Sequence, residues 1–239
     1  MAKQNKVVGI IGGMGPEATV DFMARVIDAT SAEFDQDHVH MVVENDPRIP
    51  SRQLAIRGEG VDPGATIGAI ASRLESAGAE FIVMPCNLAH AWQRNIEGAV
   101  NIPFVSIVDE SVRSALCRSG DDSAIGLMTT PGCLTAGLYQ QALADSGRPV
   151  VAQTPDELEE TMRLVMQIKG GNKPPEVVTG LRRLANNLID RGAKVLIAAC
   201  TELPLVLDES MFEVVFVSST DVLAKKTVAL ALGEADSKN

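Results

Sequence analysis

Aromatic side chains, long apolar runs and positive charge are all scarce in this chain, and each shortage excludes something. Aromatics make up 3% of 239 residues, so a core has to be packed from Ile, Val, Leu, Ala and Met. Lys plus Arg total 21 against 31 Asp plus Glu, a net charge of −10, which argues against nucleic acid or an anionic membrane surface as the main partner. No stretch approaches the ~20 apolar residues of a membrane span. The start, MAKQNKVVGIIGG, enters a strand-like run without the long apolar segment and small-residue cleavage site of a signal peptide, so a cytoplasmic location is expected. The four cysteines, Cys86, Cys117, Cys133 and Cys200, show neither CxxC nor a metal-binding spacing, and a chain of this length does not need disulfides. What is present is ordinary globular material, 46% hydrophobic and 22% charged, long enough for one large or two small domains. In a reducing compartment the cysteines are either buried filler or thiol chemistry.

Short β-branched runs alternate with helical patterns. Strands are expected at Val7–Ile11, Val39–Glu44, Glu80–Met84, Phe104–Ile107, Ala124–Met128, Val150–Gln153, Lys194–Ala199 and Val214–Val217. Most are continuous apolar runs, the pattern of parallel strands covered on both faces. Ile67, Ile70 and Leu74 mark one face of a helix over Thr66–Ala77, and Leu181, Leu184 and Leu188 mark another over Thr179–Arg191. Strand and helix in turn mean an α/β fold.

The two helices introduce an internal repeat. AGAEFIVMPCN (Ala77–Asn87) and RGAKVLIAACT (Arg191–Thr201) superimpose without a gap, about 114 residues apart. Gly78 falls on Gly192 and Cys86 on Cys200; further along Phe104 falls on Phe216, Ser106 on Ser218 and Asp109 on Asp221, and near the starts Gly9 pairs with Gly126. Two copies of one unit predict two pseudo-symmetric α/β domains, each a mostly parallel sheet flanked by helices, with the active site in the cleft between them. Ligands of open α/β sheets sit at the carboxyl ends of strands, where both repeat cysteines lie.

Two thiols on opposite walls of a cleft suit symmetric proton transfer: a thiolate removes the α-proton of an amino acid from one face and a thiol returns one to the other. Cysteine is lowered from its ordinary ~8.5 at helix N-termini, the placement expected for Cys86 and Cys200. The plainer alternative, two small buried hydrophobes, is weakened by their repeat-equivalent positions and polar followers, Asn87 and Thr201-Glu202. Backbone N–H groups in the turns GGMGPEAT, with Met14 and Pro16, and TTPGCLTAG, with Thr129 and Thr130, offer anion binding. Arg48 and Arg52 could hold a carboxylate through a bidentate pair, and Lys169 supplies a point charge. His90 either pairs with Cys86 or points along its helix and shapes the site. Cys117 reads as helix packing, and Cys133 as a residue lining the cleft without acting. A rival reading takes Gly13, Gly15 and Ala18 as the dinucleotide fingerprint, with Glu44 ending the next strand. Pro16 inside the motif, the late Glu44 and the unexplained cysteine pair count against that oxidoreductase. A two-lobed binding module has no need of two thiols.

GIIGGMGPEAT, IPSR, MPCN-x-AH around Cys86, NIPFVSI and ACTELPL around Cys200 resemble, in order and over almost the whole chain, the aspartate/glutamate racemases, most of all their aspartate racemase branch. The resemblance implies two pseudo-symmetric α/β domains, racemisation of a small-molecule amino acid without a cofactor or metal, and a homodimer. It makes Cys86 and Cys200 the two catalytic proton carriers, Asn87 and Thr201 the neighbours that hold the α-carboxylate and amino group, Thr130 part of the second domain's threonine-rich turn, and Arg52 and Lys169 the basic residues for a distal carboxylate. Met14, Leu88 and Glu202 complete the expected substrate-binding set. The family usually has threonine at Leu88 and a more acidic residue at Ser51. Losing the hydroxyl at Leu88 opens glutamate or a broader range of amino acids as substrates beside aspartate, and maleate or hydantoins are alternatives on the same fold. With the tail returning to the first domain, as in the family, the expected domains are 1–107 plus 213–239 and 108–212.

Overall fold

The computed structural model describes residues 5–120 and 122–233. Its first sheet is built from β1 (Val8–Gly12), β2 (Met41–Asn45), β3 (Phe81–Val83) and β4 (Phe104–Val105). Helices α1 (Pro16–Ala29), α2 (Arg52–Ile56), α3 (Gly64–Ser76) and α4 (Gln93–Glu97) lie between them in sequence, and α5 (Ile107–Cys117) follows. The second sheet contains β5 (Ile125–Met128), β6 (Val150–Ala152), β7 (Val195–Ala198) and β8 (Val215–Ser218), with α6 (Pro131–Thr135), α7 (Leu138–Ala144), α8 (Pro155–Lys169) and α9 (Pro175–Asp190) between strands, and α10 (Ser219–Leu232) after β8. Each expected strand is found with its ends moved by a residue or two, and β1, β2 and β8 run one residue past the expected end. The exception in kind is Ile107, which opens α5 instead of closing β4. Every residue of β1, β3, β5 and β7 is buried, as central parallel strands require. No helix among the described residues is long and apolar enough to cross a membrane.

The two sheets have the same topology, β2-β1-β3-β4 and β6-β5-β7-β8, with every pairing parallel. The duplication extends to individual contacts. A Cβ added at Gly9 on β1 would lie 2.7 Å from Ile82, 2.9 Å from Ala79 and 3.1 Å from Leu74; at Gly126 on β5 it would meet Leu196 at 2.7 Å, Ala193 at 2.8 Å and Leu188 at 3.3 Å. Each neighbour of one glycine is the repeat partner of a neighbour of the other. Helices α3 and α9 both stop at a glycine in the left-handed region, Gly78 with φ 96° and Gly192 with φ 101°, where a side chain would be strained. Register agrees as well: Ile82 pairs with Phe104, and Leu196 with Phe216.

The chain forms two compact units, one running to Ile107 and resuming at Thr220, the other spanning Val108–Ser219. The expected division at 213 is therefore corrected. Residues 215–218 form β8, which is hydrogen-bonded along β7 over four registered pairs, so this strand completes the second sheet. Only the segment from Thr220 onward belongs with the first unit, where the Ala231 carbonyl accepts from the Lys6 N–H at 2.8 Å. Residues 1–4 and 234–239 of the expected first domain lie outside the described residues.

Each unit has its own aliphatic core. In the first, Ile67, Ile70 and Leu74 of α3 pack with Ile11, Ile82, Met84 and Cys86. In the second, Leu181, Leu184 and Leu188 of α9 pack with Leu196, Ala198, Leu203 and Cys200. Both repeat cysteines are thus part of the core at the end where the strands stop.

Candidate active site

In the first unit the chain leaves β3 through Met84 and Pro85 and reaches Cys86, 7% exposed. Five residues of tight helix follow at Leu88–Trp92 and lead directly into α4. This segment brings His90 back over Cys86. The His90 Nδ1 lies 2.9 Å from the Cys86 carbonyl oxygen, and the Ile107 backbone N–H donates to His90 Nε2 at 3.0 Å. An amide N–H can only donate, so Nε2 is the unprotonated nitrogen and Nδ1–H donates to the carbonyl. Burial holds the His90 imidazole neutral, down to about 4 from its ordinary 6.5, against the pull of the backbone hydrogen bonds at Cys86 and Asn87. Its ring packs 5.2 Å from that of Phe104. Of the two roles open to His90, the structure assigns the shaping one: its nitrogens hold backbone, not the thiol.

Asn87 and Leu88 are buried beside Cys86, and Met14, 2% exposed, packs in the same apolar cluster as Cys86. Arg52 opens α2, whose Ser51 cap accepts the Leu54 N–H at 3.3 Å. Its Nη1 donates to the carbonyls of Ile49 and Pro50, both at 2.9 Å, so in this structure part of the guanidinium braces its own loop. Arg48 is a surface charge paired with Asp46.

In the second unit the chain leaves β7 through Ala199 and reaches Cys200, 8% exposed. Here the thiol itself is held: Cys200 Sγ donates to Glu202 Oε2 at 3.0 Å. The other oxygen of the same carboxylate, Oε1, is paired with the ammonium of Lys169 at the end of α8. Burial pushes the Cys200 thiol well above its ordinary range and the Glu202 carboxylate adds to this, while Lys169 works in the opposite direction. The expectation of a lowered thiol at a helix N-terminus is overturned for Cys200. The following helical turn is only Leu203–Leu205, too short to offset a carboxylate at hydrogen-bond distance. Lys169, expected to face a distal carboxylate, meets that of Glu202 instead.

Thr201 and Thr130 are buried nearby. Thr130 occupies the N-terminal boundary of α6 without a side-chain cap hydrogen bond, and Pro131 takes the first helical position. The preceding Thr129 donates its N–H to Gln153 Oε1 at 2.9 Å, and its hydroxyl donates to the Ala199 carbonyl at 3.4 Å. Gln153 in turn donates to the Thr161 hydroxyl at 2.6 Å. This brace of the Thr129-Thr130 turn was not legible in sequence, because Gln153 and Thr161 belong to no motif. Tyr139, the one tyrosine of the chain, was also missed. It is fully buried on α7, its phenol pushed up by burial and by the Cys133 and Cys200 thiols while its hydrogen bond to Ser111 acts the other way. Cys133 is buried on α6, whereas Cys117, read as helix packing, is exposed at the end of α5. Among the described residues no group of three or more His, Cys, Asp or Glu side chains is placed to hold a metal ion.

Comparison with known proteins places these loops in context. The family model described as Asp/Glu/Hydantoin racemase matches residues 11–227. A broad specificity amino-acid racemase of Bacillus subtilis is 30% identical over 233 residues, covering 95% of this chain and 98% of that protein. Among solved structures, an aspartate racemase of Picrophilus torridus superimposes with a TM-score of 0.85 at 32% identity, covering 95% of this chain and 94% of the other. An aspartate racemase homologue from Pyrococcus horikoshii gives 0.74 at 27% identity, covering 95% and 99%.

Proposed function

This chain belongs to the Asp/Glu/hydantoin racemase family, and on that premise we propose that it inverts the α-carbon of an amino acid with two thiols and no cofactor, Cys86 and Cys200 carrying the protons. The observation that carries this reading is the pair of cysteines, placed by duplication just beyond equivalent strands and buried to the same degree. A thiolate at one removes the α-proton; a thiol at the other supplies a proton to the opposite face of the resulting carbanion. Burial lets each sulfur act away from competing water. Asn87 and Thr201, adjacent to the two cysteines, are the groups proposed to hold the α-carboxylate and amino group. Aspartate is the first substrate to try, in line with the Picrophilus relative. The Bacillus relative and the apolar Leu88 favour including glutamate and neutral amino acids in the same panel.

The test is α-proton exchange and racemisation in deuterated water, without added cofactor, on L- and D-aspartate, L- and D-glutamate and a set of neutral amino acids. Wild type should exchange and racemise at least one pair. Cys86→Ala and Cys200→Ala should each lower racemisation by about a thousandfold, the scale of a lost general acid or base. Racemisation that survives both substitutions would remove the two-thiol mechanism, and activity appearing only with NAD would favour the dinucleotide reading.

A further inference from the structure

The Cys200 thiol faces three titratable groups: Glu202 on its own loop, Lys169 at the end of α8 and Tyr139 on α7. Glu202 is the one shown bonded to the sulfur, at 3.0 Å, and an ionised carboxylate can only accept. The thiol form of Cys200 therefore has a place to direct its proton. The thiolate form would set two negative charges at the same separation, which disfavours it. Lys169 grips the second oxygen of Glu202, which holds the first oxygen aimed at the sulfur. At Cys86 the fixture is of another kind: a neutral His90 bonded to the backbone carbonyl. The loop side chain described at each cysteine thus differs, His90 on the Cys86 carbonyl and Glu202 on the Cys200 sulfur.

We propose that Glu202 is the positioning residue that keeps a proton on Cys200 between turnovers, so that Cys200 is the resting acid and Cys86 the resting base. The proposal rests on the two-thiol reading above. For the enantiomer whose α-hydrogen faces Cys86, the Cys86 thiolate takes that proton and leaves the electron pair on the α-carbon. The S–H bond of Cys200 then breaks, and its proton forms the new C–H bond on the opposite face. The enzyme is left with a Cys86 thiol and a Cys200 thiolate. It is reset either by moving one proton from Cys86 to Cys200 through water or by turning over the opposite enantiomer. Repulsion from Glu202 drives the reset toward the Cys200 thiol.

The test is the rate of iodoacetamide alkylation at each cysteine, resolved by peptide mass spectrometry from about pH 6 to about pH 10. Wild type, Glu202→Gln and Lys169→Met are compared, with Cys86 in the same molecule as internal reference. Removing the Glu202 charge should speed Cys200 alkylation at neutral pH by about tenfold, the change expected for one unit in thiol titration, and shift its pH profile toward acid. Lys169→Met should slow Cys200 and shift the profile toward base, while the Cys86 profile holds in both. A variant that merely loosened the loop would speed Cys200 in either case, so opposite signs separate charge from looseness. An unchanged Cys200 profile in Glu202→Gln, or acceleration in both variants, overturns the proposal. Because alkylation needs no substrate, the predicted profiles without racemisation would overturn the two-thiol reading while leaving the electrostatic role of Glu202 standing.

Discussion

The loop after β3 and the loop after β7 begin from the same framework: a fully buried strand, a parallel partner in the same register, and a helix packed behind that ends at a left-handed glycine. They diverge within four residues of the cysteine. In the first unit the Cys86 carbonyl is taken by the His90 side chain. In the second, the Cys200 carbonyl accepts the Leu203 backbone N–H at 3.0 Å, and the polar side chain of the loop, Glu202, is turned to the sulfur. Duplication has preserved where the sulfur stands and relaxed what stands beside it. Position follows from strand and core packing, which tolerate little change. Protonation follows from burial and, on top of it, from one or two loop side chains, which can change without disturbing the core.

The sharpest way to break this comparison is at His90, which serves only the Cys86 side. His90→Phe removes the acceptor of the Ile107 N–H and the donor to the Cys86 carbonyl, leaving buried backbone groups unmatched, at a cost of about 3 kcal/mol. It should also erase a pH dependence. His90 titrates at about 4 in the folded protein against an ordinary 6.5, so between those values the unfolded chain binds the proton more readily. Stability from this group is complete above pH 6.5 and falls as pH drops toward 4, by roughly 3 kcal/mol over the window. Urea denaturation between pH 4 and 7 should show that slope in wild type and its loss in His90→Phe. Equal slopes would mean that His90 is not held neutral.

A second prediction sharpens the likeness between the halves. Gly9→Ala and Gly126→Ala each drive a methyl into a strand–helix contact whose neighbours include an alanine Cβ at 2.9 Å and 2.8 Å respectively. An alanine Cβ cannot rotate away, so the backbone has to shift. Each variant should lose about 2 kcal/mol by overpacking, and the two losses should agree closely. A large inequality in denaturation midpoints would show that the packing behind the two strands is less alike than the shared contacts indicate.

The framework was legible in sequence because it rests on repeated, local signals: apolar runs of strand length, helix faces at three- and four-residue spacing, and glycines at matched positions. The end of β8 was not, because its assignment to a sheet depends on long-range pairing with β7 that Val214–Val217 does not announce. At the site, the cysteines and their polar neighbours could be named from the repeat and the family resemblance. The direction of the Cys200 titration could not, since it depends first on how deeply the thiol is buried and then on whether Glu202 turns toward the sulfur. Lys169 likewise has an apparent freedom in sequence that disappears once Glu202 is found within reach.

The smallest predicted effect concerns how the helix behind each central strand is tied to the edge of its sheet. In the first unit Arg73 of α3 pairs with Glu44 of β2 on the surface. In the second, Arg191, just beyond α9, donates to both oxygens of Glu157 on α8 at 2.9 Å and 2.7 Å, and to the Ala152 carbonyl of β6 at 3.2 Å. Asn187 adds a hydrogen bond to Glu157 at 2.8 Å. Glu157 also closes the N-terminal cap of α8, accepting the Thr154 N–H at 2.9 Å. The Arg191 guanidinium, aided by the Thr154 N–H and Asn187, brings the Glu157 carboxyl down to about 2 from 4.5, in spite of partial burial. A folded value below the unfolded one means that the stabilisation is present above pH 4.5 and is lost as pH falls toward 2. Glu157→Gln should therefore cost about 1 kcal/mol at neutral pH, and the gap from wild type should close progressively below pH 4.5. Glu44→Gln should cost less, because its arginine partner is more than half exposed, at 56% against 37% for Arg191, and water competes for it. Thermal denaturation of the two variants at neutral pH ranks them directly; a larger loss at Glu44 would reverse the assignment of the stronger tie to the second unit.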